Sequence, residues 1–262
     1  MTSSAAPIIQ MKNIEKHFGS VIALSGVSVD VLPGECHCLL GDNGAGKSTF
    51  IKTMSGVHKP TKGEIVFDGK PMNFENPRDS IAAGIATVYQ DLALIPLMSV
   101  SRNFFMGNEP LKKFGPLRFF DHEAANRITL EEMQKMGISL RGPDQAVGTL
   151  SGGERQTVAI ARAVYFGAKV LILDEPTSAL GVRQTANVLA TIDKVRKQNI
   201  AVVFITHNVR HAMAVGDRFT VLNRGRTLGT AMRGEITPEQ LQDLMAGGQE
   251  MVKLESSLGG TV

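Results

Sequence analysis

The segment Gly41-Asp42-Asn43-Gly44-Ala45-Gly46-Lys47-Ser48 fits G-x-x-x-x-G-K-[ST], and an apolar run, Cys36 to Leu40, stands directly before it. In such a loop the glycines let backbone N–H groups turn toward phosphate oxygens, and the helix that follows adds its positive end. Lys47 is then placed to reach the β and γ phosphates, and Ser48 to ligate Mg²⁺. A turn that only joined a strand to a helix would need neither residue. Gly41, Asp42, Asn43, Gly44, Ala45, Gly46, Lys47, Ser48 and the adjoining Thr49 form the expected nucleotide-binding loop. The motif demands a strand, a loop and a helix ending near Gly56, in a fold that presents ligands at its strand ends.

The rest of the chain meets that demand. Strand-like and helix-like stretches alternate from end to end, which predicts an α/β fold with a mainly parallel sheet. Residues 7–14, 25–31 and 64–68 read as short strands, with turn chemistry at Pro33-Gly34 and Asp68-Gly69, so an antiparallel β element is expected near the N-terminus. Buried central strands are expected at 36–40, 85–89, 170–173 and 200–205. Between Asp91 and Gly167 strand signals vanish. Asp121 is placed to cap one helix ending near Gly137, and Ser151 another ending near Gly167, so 91–167 reads as an inserted helical subdomain. Thr237-Pro238-Glu239 opens a last helix, to Gly247, and a loosely held tail is expected beyond it.

Length bounds this reading, because 262 residues make one large domain or a core with one insertion. With 28 Lys and Arg against 25 Asp and Glu, the net charge of +3 argues for neither nucleic acid nor an anionic membrane as a partner. Cys36 and Cys38 alternate in an apolar strand and are expected on one buried face as reduced thiols; a Cys-His-Cys metal site would lack the ligands to close its shell. The first residues do not resemble a secretory leader, and apolar runs are too short to span a bilayer, so the chain is expected to begin in the cytoplasm and to reach a membrane only through a partner.

A second acidic motif, Val170-Leu171-Ile172-Leu173-Asp174-Glu175, is a buried strand that delivers two carboxylates at its C-terminal edge. Asp174 is expected to hold Mg²⁺ through water, and Glu175 to orient and activate the attacking water. Phosphoryl transfer depends on charge neutralisation and an aligned nucleophile, so Lys47, Mg²⁺, Glu175 and a polar γ-phosphate sensor suffice.

Leu150-Ser151-Gly152-Gly153-Glu154-Arg155-Gln156 taken alone could be only a capping box. Together with the two motifs above it resembles the signature of ABC-type ATPases. Further matches follow in order: Phe18 to the aromatic that stacks on adenine, Gln90 to the Q-loop, and His207 to the switch histidine. The resemblance covers about residues 8–247. It implies a RecA-like P-loop NTPase core at 8–90 and 168–247, the helical subdomain at 91–167, and a tail at 248–262, all in one ATP-binding cassette. It implies catalytic roles for Glu175, His207, Lys47 and Gln90, and Mg²⁺ ligation by Ser48, Gln90 and Asp174. Ser151, Gly152 and Gly153 are implied to contact the nucleotide of a second cassette, so that ATP closes a homodimer and hydrolysis opens it. Gly181 departs from the family pattern, which commonly has Asp there.

Within the family, Met54-Ser55-Gly56-Val57, the stretch from Leu94 to Glu109, and Ala179 to Gln184 are similar to the monosaccharide importers, most of all to the fructose type. That branch implies membrane permease subunits, an extracytoplasmic sugar-binding protein and a peripheral position on the cytoplasmic face of the inner membrane. The apolar Leu92 to Met98 is then either a docking groove for the permease or packing inside the subdomain. The competing reading is a non-transport ABC ATPase acting on nucleic acid or ribosomes. The chain shows no coiled-coil insertion, no second cassette and no strong basic patch in its favour.

Overall fold

A computed structural model describes residues 6–247; the tail expected at 248–262 lies outside them. The elements run in the order β1 (Ile9–Phe18), β2 (Val21–Val31), β3 (Cys36–Leu40), α1 (Lys47–Met54), β4 (Lys62–Phe67), β5 (Lys70–Met72), α2 (Pro77–Ala83), β6 (Ile85–Val88), α3 (Val100–Phe105), β7 (Leu111–Phe114) and β8 (Leu117–Phe120). They continue with α4 (His122–Lys135), α5 (Gly152–Tyr165), β9 (Val170–Asp174), α6 (Val182–Arg196), β10 (Ala201–Thr206), α7 (Val209–Val215), β11 (Arg218–Asn223), β12 (Arg226–Met232) and α8 (Pro238–Met245). No helix among the described residues is long and apolar enough to cross a membrane.

The central sheet has the order β12-β11-β3-β10-β9-β6, parallel except for β12 at its edge. Its inner strands are buried on both faces, which is why they read as unbroken apolar runs. Alternate side chains feed two cores. Cys36, Cys38, Leu40, Leu171, Leu173 and Phe204 pack with α5, α6 and α7 on one side. Leu39, Ile172, Val203 and Ile205 pack on the other side with Phe50, Ile51 and Met54 of α1 and with the antiparallel sheet β2-β1-β4-β5. Both cysteines are buried free thiols on one face, as the alternation requires.

The sequence reading missed strands in three places. Beyond the Asp68-Gly69 turn, β5 pairs antiparallel with β4. In 91–167, β7 and β8 form a two-stranded hairpin around Gly115-Pro116. All but one of its eight strand residues are exposed, so no buried face imposes the apolar alternation by which strands are recognised. At the C-terminal side, β11 extends the parallel sheet beside β3, and β12 folds back on β11. The helices start where their capping residues predicted: Asp121 Oδ1 accepts from the Ala124 N–H at 3.1 Å, and Ser151 and Thr237 each open a capping box.

His37 points away from the cysteines. Its Nε2 lies 2.8 Å from Thr220 Oγ1 and its Nδ1 3.1 Å from the Asp30 carbonyl. Burial, reinforced by the Arg218 charge, lowers its pKa from 6.5 to about 3. Between those values the unfolded chain binds a proton that the folded chain refuses, so stability is complete above pH 6.5 and is lost as pH falls. The slope from this residue is about 1.4 kcal/mol per pH unit. Denaturant unfolding of the wild type and His37→Gln across that window should show the wild type losing stability more steeply by that amount.

Candidate functional site

The strand register sets the site. β10 pairs in parallel with β3 and β9 at once, matching Thr206 with Leu40 and Ile205 with Asp174. The residues that follow these strands, Gly41, Glu175 and His207, therefore leave one edge of the sheet nearly level with one another. This is the carboxyl edge, where open α/β sheets bind ligands.

The phosphate loop leaves β3 at Gly41, whose φ is +147°, and a Cβ there would sit 2.3 Å from the Leu222 carbonyl oxygen and 2.9 Å from the Ala45 Cβ. Only glycine fits between β11 and the loop. The loop is pinned by an Ala45 N–H bond to the Asp42 carbonyl (3.1 Å), and Ala45 in turn accepts from the Gly225 N–H (2.9 Å). Helix α1 then begins after Gly46 with no side-chain cap, unlike α2, α5 and α8, so its first N–H groups face the cleft. That cleft has a volume of about 440 Å³ and is lined by Val21, Ile22, Ala23, Asp42 to Thr49 and Arg224.

Lys47 is buried, and its ammonium donates to the Gly41 carbonyl at 2.5 Å and the Asp42 carbonyl at 3.1 Å. Burial lowers its pKa, against the pull of Glu175, Asp174 and Asp42. Asp174 ends β9; burial raises its pKa, Glu175 raises it further, and Lys47 opposes both. Glu175 has left-handed backbone (φ +49°), fixed by its N–H bond to the Ile205 carbonyl at 3.0 Å. The strained turn presents its Oε1 to His207 Nδ1 at 3.0 Å. Two carboxylates thus face one buried ammonium, and the hydroxyl, carboxylate and amide oxygens of Ser48, Asp174 and Gln90 are the all-oxygen donors a hard divalent cation takes. Among the described residues no cluster of three His, Cys, Asp or Glu forms a metal cage.

Of the sequence-predicted residues, Asp42 to Thr49 of the loop line this cleft; Gln90, Asp174 and Glu175 are not among its lining, and His207 lines a second one. Gln90 lies in an exposed bend after β6. Phe18 is half-exposed at the end of β1, edge-on to His58 and under the Lys16 ammonium, and it does not line the cleft. Its cross-strand neighbours Val21 and Ile22 do line it, exposed and apolar. Ser151, Gly152 and Gly153 lie at the start of α5, against Leu180 and Gln184 near the start of α6, outside the cleft of their own chain.

The sequence reading did not single out Arg224 in the β11–β12 turn, and it expected the helix α8 but not its place beside the site. Gln242 and Met245 of α8, with Ala246 just after it, share a second cleft of about 580 Å³ with Asp42, His207 and Arg210. No local motif marks such residues, because they reach the site through the β11–α8 topology.

The fold and loop define a P-loop ATPase cassette. Residues 24–178 match the model of the ABC transporter family. The chain is 42% identical over 242 residues to the xylose/arabinose import ATP-binding protein of Sulfolobus acidocaldarius, covering 91% of this chain and 93% of that one. It is 41% identical to the fructose import ATP-binding protein of Rhizobium meliloti, covering 93% and 95%. A ribose import ATP-binding protein of Streptomyces avermitilis is 39% identical over 92% of this chain, which spans about half, 47%, of that relative. Among solved structures, a dimeric bacterial ABC transporter cassette superposes with a TM-score of 0.72 at 26% identity, covering 87% of this chain and 100% of that one. The chain belongs to the ABC transporter family and is one of its nucleotide-binding ATPases.

Gly41→Ala should lower the unfolding free energy by more than about 2 kcal/mol, since backbone at Leu222 must move. Chemical denaturation checks this. Lys47→Ala should retain wild-type stability within about 1 kcal/mol yet lose nucleotide binding, measured by fluorescent-nucleotide titration.

Proposed function

We propose that this chain is the ATP-hydrolysing subunit of an importer that takes up a monosaccharide, with fructose as the sugar. The observation that carries the chemistry is the contact of Glu175 with His207 at the level of the phosphate loop. Sugar import is supported by the names of the relatives, and fructose by the single-cassette relative and the likeness around Ala179 to Gln184. The similarity to the xylose/arabinose relative favours a second reading, in which the sugar is a pentose.

In this reading the triphosphate lies along the N–H groups of residues 44–49. Lys47 exchanges its carbonyl partners for β- and γ-phosphate oxygens, which repays its burial. Glu175 accepts a proton from the water that attacks the γ-phosphorus, and His207 holds the carboxylate and senses the γ-phosphate. Ser48, Asp174 and Gln90 would hold Mg²⁺, which would supply charge neutralisation at the phosphate oxygens. Val21 and Ile22, with Phe18 beside them, offer the base an apolar wall.

The position of Ser151, Gly152 and Gly153 outside their own cleft supports their service to a second cassette, and the dimeric cassette structure supports a two-fold pair. Membrane permease subunits and an extracytoplasmic sugar-binding protein complete the system, with this chain on the cytoplasmic face of the inner membrane. The stretch 92–98 divides between the two uses open to it. Leu92 and Leu94 pack on the core, whereas Ile95 and Leu97 stand exposed along a groove of about 510 Å³ suited to a permease segment.

Glu175→Gln should cut ATP turnover by roughly 10² to 10⁴ with nucleotide affinity kept. A phosphate-release assay checks this. In cells lacking the chain, labelled fructose uptake should return with wild type and not with Glu175→Gln; rescue of xylose or arabinose uptake alone would assign the pentose.

A further inference from the structure

We propose that the outer face of the β7–β8 hairpin docks on an anionic phospholipid surface. In the register of this hairpin, Lys112 pairs with Phe119 and Phe114 with Leu117, so these four side chains share one face. Phe114 is 79% exposed, Leu117 57% and Phe119 50%. The other face carries Lys113 opposite Arg118, and Leu111 opposite Phe120. Phe120 anchors the hairpin, its ring edge-on to His122 and beneath the Arg102 guanidinium.

Residues 111–120 hold three cations, Lys112, Lys113 and Arg118, and no acid. None of the three has a partner among the described residues. The nearest acids in sequence are engaged by backbone: Glu109 accepts from the Gly107 N–H and Asp121 from the Ala124 N–H. An apolar face that also carries Lys112, on a hairpin whose other two cations, Lys113 and Arg118, stand on the opposite face, is complementary to an anionic, amphipathic partner. A bilayer interface accepts aromatic and leucine side chains beside Lys and Arg without a shaped counterpart.

Position agrees with this. Arg102 and His122, which hold Phe120, also line the groove of Ile95 and Leu97. A permease segment seated in that groove would bring the bilayer beside the hairpin. This last argument rests on the importer reading, while the charge and apolar pattern does not.

Flotation of the purified chain with vesicles of phosphatidylcholine alone, or mixed with phosphatidylglycerol, tests the proposal without any permease. The wild type should float with the mixed vesicles only, and added salt should release it. The pair Lys112→Ala and Lys113→Ala should weaken binding about 30-fold. Phe114→Ser with Leu117→Ser should abolish it, with ATP turnover in solution unchanged as the control for folding. Failure of the wild type to float with anionic vesicles, equal binding to neutral ones, or full binding by either variant would overturn the proposal. Loss of permease-stimulated turnover in neutral-lipid nanodiscs on the same substitutions would assign the face to a protein instead. A failed sugar-uptake rescue would leave the flotation result standing.

Discussion

The site depends on the double pairing of β10. This strand contributes no charged group, yet its parallel hydrogen bonds to β3 and β9 hold three loop origins level to within about one residue. One phase error in either pairing would shift a loop by roughly 3.3 Å and turn its neighbours toward the wrong core. Burial protects that register. Every residue of β10 is buried, and Val203 and Phe204 feed opposite cores, so slippage would place each in the other's packing.

Electrostatics at this edge is poised rather than relaxed. Burial works against the charged forms of both Lys47 and Asp174, and each is held by the other's proximity. The left-handed turn at Glu175 belongs to the same economy, since strain there presents the carboxylate to His207 while its charge still acts on the buried ammonium. Helix α8 reaches this region from the far end of the chain, placing Gln242 and Met245 in the cleft that also holds His207.

Much of this was legible in the sequence because each feature left a local mark. The phosphate loop, the run ending at Asp174-Glu175 and the caps Asp121, Ser151 and Thr237 combine residue type with fixed spacing, and the structure builds on them. The β7–β8 hairpin left no mark, because alternation records burial and this hairpin has almost none. The arrival of Val21, Ile22 and Arg224 at the cleft was hidden for a different reason: it comes from strand register and from a turn docked on Ala45. The split of 92–98 into half-buried Leu92 and Leu94, packed against the core, and exposed Ile95 and Leu97 is likewise a tertiary outcome that composition does not encode.

Helix α1 differs from α2, α5 and α8 in having no side chain to close its first turn. Where the chain starts α2, α5 and α8 with a box, it carries the cap within itself. Here the missing cap has the valence and charge of a phosphate, so a bound nucleotide is the residue that the helix lacks. Ligand binding and the completion of secondary structure are then one event. The cohesion of the loop, and of β11 resting on Gly41, varies with the concentration of nucleotide around it.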